Sequence, residues 1–170
     1  GGVLDITTTE VADEVVGGVF AAGPSRFEAI LERRIPYVMS LGACDMVNFG
    51  ARETVPDKFS QRLFYQHNAQ VTLMRTTPDE NRAIARWIAN KINRATSAVR
   101  LLIPEKGVSM LDAVGQPFYD PAADAALFDE LEATVNQDSM RQIIRLPHHI
   151  NDPEFADQLV QNYLQLSSRN

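Results

Sequence analysis

Five short apolar runs in this chain are each followed directly by hydroxyls, amides, charges or glycine. Val3 to Ile6 leads into Thr7-Thr8-Thr9-Glu10, and Tyr37-Val38-Met39 leads into Ser40, Gly42, Cys44 and Asp45, with Asn48 just beyond. Val71 to Met74 is followed by Arg75-Thr76-Thr77. Val99 to Ile103 passes through Pro104 to Glu105-Lys106-Gly107-Val108-Ser109, and Ile143 to Leu146 leads to His148-His149-Ile150-Asn151-Asp152. Hydroxyls of Thr and Ser donate to phosphate or carboxylate oxygens, and Arg75 and Lys106 supply full positive charges. The expected ligand-binding set is Thr8, Thr9, Ser40, Gly42, Asp45, Asn48, Arg75, Thr76, Lys106, Gly107, Ser109 and Asn151. His149, leading directly into the Asn151-Asp152 turn, is the acid–base candidate.

Several of these residues have a structural alternative. Thr7-x-x-Glu10 and Thr77-x-x-Glu80 match the capping box, whose side chains satisfy a helix's own amides. Asp120-Pro121 and Asp152-Pro153 read as an N-cap followed by a first-turn proline. Thr8, Thr9 and Thr76 are claimed by no box and are the stronger ligand candidates. Cys44 beside Asp45 reads as a buried small residue rather than a nucleophile, because an adjacent carboxylate disfavours the thiolate. His148-His149 fits no strong zinc spacing, so no metal site is expected. His67-Asn68 reads as a turn. No G-x-S-x-G, Walker-type loop or G-x-G-x-x-G occurs.

The elements that must position these residues alternate. Val11, Val15 and Val16 recur at helical spacing before Gly17-Gly18. Pro24 suits a first helical turn, with Phe27, Ile30 and Leu31 on one face. Residues 41–62 carry a weaker pattern, with a helical turn expected near Asp57-Lys58-Phe59. Leu63-Phe64-Tyr65 and Val71 to Met74 are strand candidates. Further helices are expected over Pro78 to Asn93, Pro121 to Val135 and Pro153 to Leu166, the last with Phe155, Leu159, Val160, Tyr163 and Leu164 inward. Trp87 reads as core. Continuous apolar strands separated by helices indicate a parallel sheet covered on both faces. The expected fold is one α/β domain over residues 1–170, a Rossmann-like or flavodoxin-like three-layer α/β/α arrangement with a mostly parallel sheet. In such sheets ligands bind outside the carboxyl ends of the strands, so the five polar segments should share one rim.

Bulk properties narrow the classes. The chain has 170 residues, 16 Lys and Arg against 22 Asp and Glu, and a net charge of −6, which argues against a nucleic-acid partner. A single cysteine rules out an intrachain disulfide and fits a cytoplasmic location. No apolar run approaches the roughly 18 residues that span a bilayer, so no membrane partner is expected. Val3 to Ile6 reads as a strand with almost no lead-in from Gly1, so further chain is expected upstream.

The stretches LDITTTEVADE, GGVFAAGPSRFEA, DMVNFG, VTLMRTTPDEN and HINDPEFAD, in this order between Leu4 and Asp157, resemble the family of the tomato mosaic virus resistance protein and its uncharacterised bacterial and fungal relatives. The resemblance implies a longer protein with two α/β halves in tandem, of which this chain is the second. It implies ATP or another nucleotide as ligand of the full-length protein and the N-terminal α/β half as partner. It transfers no catalytic residues and no antiviral action. Three functions follow as expectations: an enzyme half-site binding a small anionic ligand, a non-catalytic regulatory module, or a homodimerisation unit using Met46, Val47 and Phe49.

Overall fold

A computed structural model describes residues 1–168. Four strands form a parallel sheet: β1 (Val3–Thr7), β2 (Tyr37–Gly42), β6 (Val99–Pro104) and β7 (Arg141–Leu146), in the order β1-β2-β6-β7. The helices are α1 (Thr9–Val16), α2 (Glu28–Arg33), α3 (Pro78–Ile92), α4 (Pro121–Thr134) and α5 (Pro153–Ser167). The remaining strands, β3 (Met46–Phe49), β4 (Phe64–Asn68) and β5 (Val71–Arg75), make a separate antiparallel sheet in the order β3-β5-β4.

The alternation of side chains across a strand sorts the core. Tyr37, Met39 and Leu41 of β2 and Val99, Leu101 and Ile103 of β6 share one cluster with Val11 of α1, Ile84 and Ile88 of α3, and Leu127 and Leu131 of α4. Val38 and Leu102 point the other way, onto Phe155, Leu159 and Leu166 of α5. Both faces of the sheet are covered, as the continuous apolar runs require. Each crossover steps in one direction along the sheet, and crossovers of one hand then deliver their helices to one face. So α1, α3 and α4 share a face and α5 alone covers the other, rather than the crossover helices dividing between the two.

Helix ends follow local chemistry. Thr77 and Glu80 complete the expected capping box, with Pro78 at the first helical position, and Asp120 accepts from the Ala123 amide. The first helix differs: its cap is Thr8, without a side-chain bond, so Thr7-x-x-Glu10 makes no box. Pro24 does not open α2, because Phe27 takes a φ of 78°, which breaks the helical path until Glu28. On α5, Val160 and Leu164 face solvent, 48% and 58% exposed, while Asn162 and Leu166 turn inward. Trp87 is half-buried against the edge of Phe27.

The largest correction concerns Val71 to Met74. The run is buried, but it belongs to the antiparallel sheet and not to the parallel one. Residues 41–62 contain β3 and two single 3₁₀ turns, the second at the expected Asp57–Phe59. Met46, Val47 and Phe49 of β3 are buried in their own domain and offer no exposed dimer surface. Among the described residues no helix is long and apolar enough to cross a membrane.

Candidate functional site

The exits of the parallel strands are laced together at one edge by backbone hydrogen bonds. The Thr8 amide donates to the Gly42 carbonyl (2.9 Å), Ala43 to Val108 (2.9 Å), Lys106 to His148 (3.1 Å) and Ile150 to Gly107 (3.0 Å). Above this edge lies a cleft of about 470 Å³. Ile6 and Thr7 line it after β1, Gly42 and Ala43 after β2, Val108 to Met110 after β6, and Ile150 to Asp152 after β7, with Pro153, Ala156 and Leu159 of α5 behind. Its floor needs small residues: a Cβ on Gly42 would sit 2.6 Å from the Ile6 carbonyl oxygen. Gly107 has a φ of +125°, and a Cβ there would lie 1.8 Å from the Asp112 carbonyl oxygen, so only glycine fits this turn.

The expected ligand set is divided at this rim. Gly42, Ser109 and Asn151 line the cleft. Thr8, Ser40, Asp45, Asn48, Arg75 and Thr76 do not line it; they are nearly or fully buried, and their side chains are bonded within the protein, Asn48 to Asp13 and Thr9 and Asp45 to Ser109. Thr8 Oγ1 donates to the Ser40 carbonyl (3.3 Å) and lies 3.1 Å from Cys44 Sγ; Ser40 Oγ donates to the Leu102 carbonyl (2.9 Å). Thr76 Oγ1 donates to the Cys44 carbonyl (3.1 Å). Thr9 is half-buried, its hydroxyl accepting from Asn48 Nδ2 (3.0 Å). The threonine that does line the cleft is Thr7, the one read as a cap.

Arg75 is a buried hub. Its guanidinium donates to the Phe118 carbonyl (2.8 Å), Thr76 Oγ1 (3.0 Å) and Asp124 Oδ1 (2.7 Å), and lies 3.6 Å from Asp112 Oδ1. Asp45, beneath the cleft, takes a bond from Ser109 Oγ (2.7 Å), and burial pushes its carboxyl up to about 6. Burial also raises Asp124, against the pull of Arg75. Cys44 is fully buried and its thiol is pushed up to about 12.

His149 is held at both ring nitrogens. Nε2 faces the Ser109 carbonyl at 2.9 Å, which can only accept, so Nε2 carries the proton; Nδ1 then accepts from the Asn151 amide at 3.1 Å. The ring straps the β7 exit to the β6 exit. Asp152 does not cap α5 with its side chain but accepts from the His149 amide at 2.7 Å. Lys106 is exposed and lines a second cleft of about 320 Å³ with Glu105, Val114, Tyr119, Pro121, Asp124, Ala125, Phe128 and Arg145. Arg145 is engaged there by Asp129 and Glu132. Among the described residues no group of three or more His, Cys, Asp or Glu is arranged to hold a metal ion.

Asp13, Asp112 and Asp124 were not singled out by the sequence reading. Asp13 accepts from the Phe20 amide (2.8 Å) and the Asn48 amide (2.8 Å), latching the segment after Gly17-Gly18 onto β3. A signal existed for Asp124, an acid on the inward side of an alanine-rich helix. Asp112 sits in an irregular loop that offers no periodicity to read.

A parallel sheet with helices on both faces and a cleft at its carboxyl edge defines a Rossmann-like α/β domain. Over residues 1–167 the chain matches the uncharacterised protein family (UPF0261) C-terminal domain, and it belongs to that family. It is 59% identical to UPF0261 protein RA0729 of Rhizobium meliloti (strain 1021), over 98% of this chain and 42% of the relative. It is 55% identical to the ToMV resistance protein Tm-1(GCR237) of Solanum lycopersicum, over 99% of this chain and 22% of that protein. A UPF0261 protein of Clostridium tetani is 56% identical over 91% of this chain and 38% of the relative. The chain thus spans less than half the length of these relatives.

Proposed function

We propose that this domain is the ligand-binding C-terminal half of a longer cytoplasmic protein and takes a small anionic molecule in the cleft over β1, β2 and β6. One observation carries the reading. Four segments distant in sequence, after β1, β2, β6 and β7, build one concave and mainly apolar surface with polar groups at its margin. Clefts of this size and character are the usual form of small-molecule sites. The ligand class is a nucleotide, another phosphate or a carboxylate, with ATP or a related nucleotide in the full-length protein. The apolar part of the ligand lies against Gly42, Val108 and Ile150. Its anionic group meets Thr7, Asn151 and the first turn of α5 at the cleft margin. Ile6 and Met110, 40% and 78% exposed at the mouth, face the N-terminal α/β half, which completes the cleft.

The engagement of both His149 nitrogens and the burial of Cys44 favour binding without turnover in this half. A regulatory module is therefore the second reading, with any reaction supplied by groups elsewhere in the protein. A homodimer, if formed, uses a surface other than the buried residues of β3.

Calorimetric titration of the full-length protein with nucleotides and with phosphorylated and carboxylated metabolites tests the proposal. Ala156 is an exposed helical position at the cleft wall, so Ala156→Trp fills the cleft without entering the core. Binding should weaken at least about tenfold in this variant, a loss on the order of 1.4 kcal/mol. Equal affinity in the two proteins would end the reading.

A further inference from the structure

The hub around Arg75 holds more negative charge than it neutralises. Asp45, Asp112 and Asp124 are 1%, 0% and 6% exposed, and among the described residues Arg75 is the one cation bonded to them. Fully ionised, the cluster would bury two uncompensated negative charges, a costly arrangement inside a protein. Two of its carboxylate oxygens, Asp45 Oδ1 and Asp112 Oδ1, are buried without a hydrogen-bond partner. Neighbouring elements do not supply the missing charge. Arg62 is committed to Glu80 and the Arg75 carbonyl. Asp120 caps α4, and Cys44 stays a neutral thiol. Lys106 and Arg145 line the second cleft with Asp124 and Glu105, but among the described residues neither is ion-paired to Asp45, Asp112 or Asp124, and Arg145 is bound to Glu105 and to acids of α4.

The same cluster fastens the segment between β6 and α4. Ser109 Oγ donates to Asp45 Oδ2, the Val108 amide donates to Asp112 Oδ2 (2.9 Å), and the Phe118 carbonyl accepts from Arg75. We propose that the Asp45–Asp112–Asp124 cluster holds one proton in the folded domain, and that losing this proton to solvent unfastens the 105–120 loop. With the proton gone, Asp112 gains by moving into water, and it takes the wall of both clefts with it. Burial raises Asp45 and Asp124, in agreement with proton retention near neutral pH.

The gate bears on the binding site proposed above, but it is a property of the loop and is read without any ligand. Hydrogen exchange of the full-length protein, corrected for intrinsic amide rates, measures it. A proton held closed and released open makes loop opening rise about tenfold per pH unit between the ordinary carboxylate range and the raised folded value. With the Asp124 carboxyl raised by burial to about 8, amides of 107–118 should open about a hundredfold more at pH 7 than at pH 5, while α3 amides change little. Asp124→Asn and Asp112→Asn, which carry a neutral group at every pH, should flatten the slope. Corrected opening that is independent of pH in the natural protein would overturn the proposal, whether or not the variants fold. So would an undiminished slope in a folded Asn variant.

Discussion

Ser109 Oγ donates to Asp45 Oδ2 across 2.7 Å, tying two positions 64 residues apart in the chain at the floor of the rim cleft. The bond joins the loop after β6 to the turn after β2, and both residues are buried. It holds the wall of the candidate site rather than presenting a group to a ligand.

Removing the hydroxyl leaves Asp45 buried with neither oxygen bonded. Ser109→Ala should destabilise the domain by about 1–3 kcal/mol, measured by urea unfolding at pH 7. Asp45 also gives stability a pH dependence. Its folded value, about 6, lies above its ordinary value of 3.8, so its contribution is full below pH 3.8 and is lost as pH rises through 6. The loss amounts to up to about 3 kcal/mol, and Asp45→Asn should remove that part of the curve.

Arg75 and Lys106 were paired as anion clamps on residue type, and their settings predict opposite outcomes. Arg75→Met strands Asp124 and Asp112 and should cost about 3–5 kcal/mol in denaturant unfolding. Lys106→Ala, at an exposed position without an ion pair among the described residues, should change stability by less than about 0.5 kcal/mol. Lys106 lines the second cleft and not the rim cleft, so under the binding proposal Lys106→Ala leaves ligand affinity at the rim unchanged as well.

Gly107→Ala meets both a left-handed φ and the Asp112 carbonyl. The loop has to move, so thermal unfolding should show a loss above about 2 kcal/mol together with weakened ligand binding.

The Cys44 thiol is fully buried, and its ionisation is pushed up to about 12. At pH 8 the folded protein should resist a thiol-specific chromogenic reagent for as long as it stays folded, and react with one equivalent in urea. Rapid labelling of folded protein would contradict this burial.

The periodic elements were legible from sequence, because a fully buried strand such as Tyr37–Gly42 and a capped amphipathic helix such as Pro78–Ile92 announce themselves locally. Strand direction was not. Val71 to Met74 is as apolar as a parallel core strand, yet its partners are β3 and β4, set by pairings that no local pattern encodes. Thr76 and Arg75 reach Cys44 and Asp45 from the second sheet, but they do so in the buried interior and line no part of the cleft, so four of the five polar segments share the rim.

Residue types at the rim were legible, but their exposure was not. Thr7 and Thr8 are adjacent and chemically identical. Thr8 turns inward to Ser40 and Cys44 while Thr7 lines the cleft, a choice made by the chain path from β1 into α1. Arg75 looked like a free cation because its acids, Asp112 and Asp124, lie 37 and 49 residues further along the chain.

The most direct measurement is a crystal structure of the full-length protein grown with whichever nucleotide, phosphate or carboxylate binds in solution. Ligand density is expected against Gly42, Val108 and Ile150, with the anionic group toward Thr7, Asn151 or the first turn of α5. Density confined to the N-terminal half, with water alone over the ends of β1, β2 and β6, would contradict it.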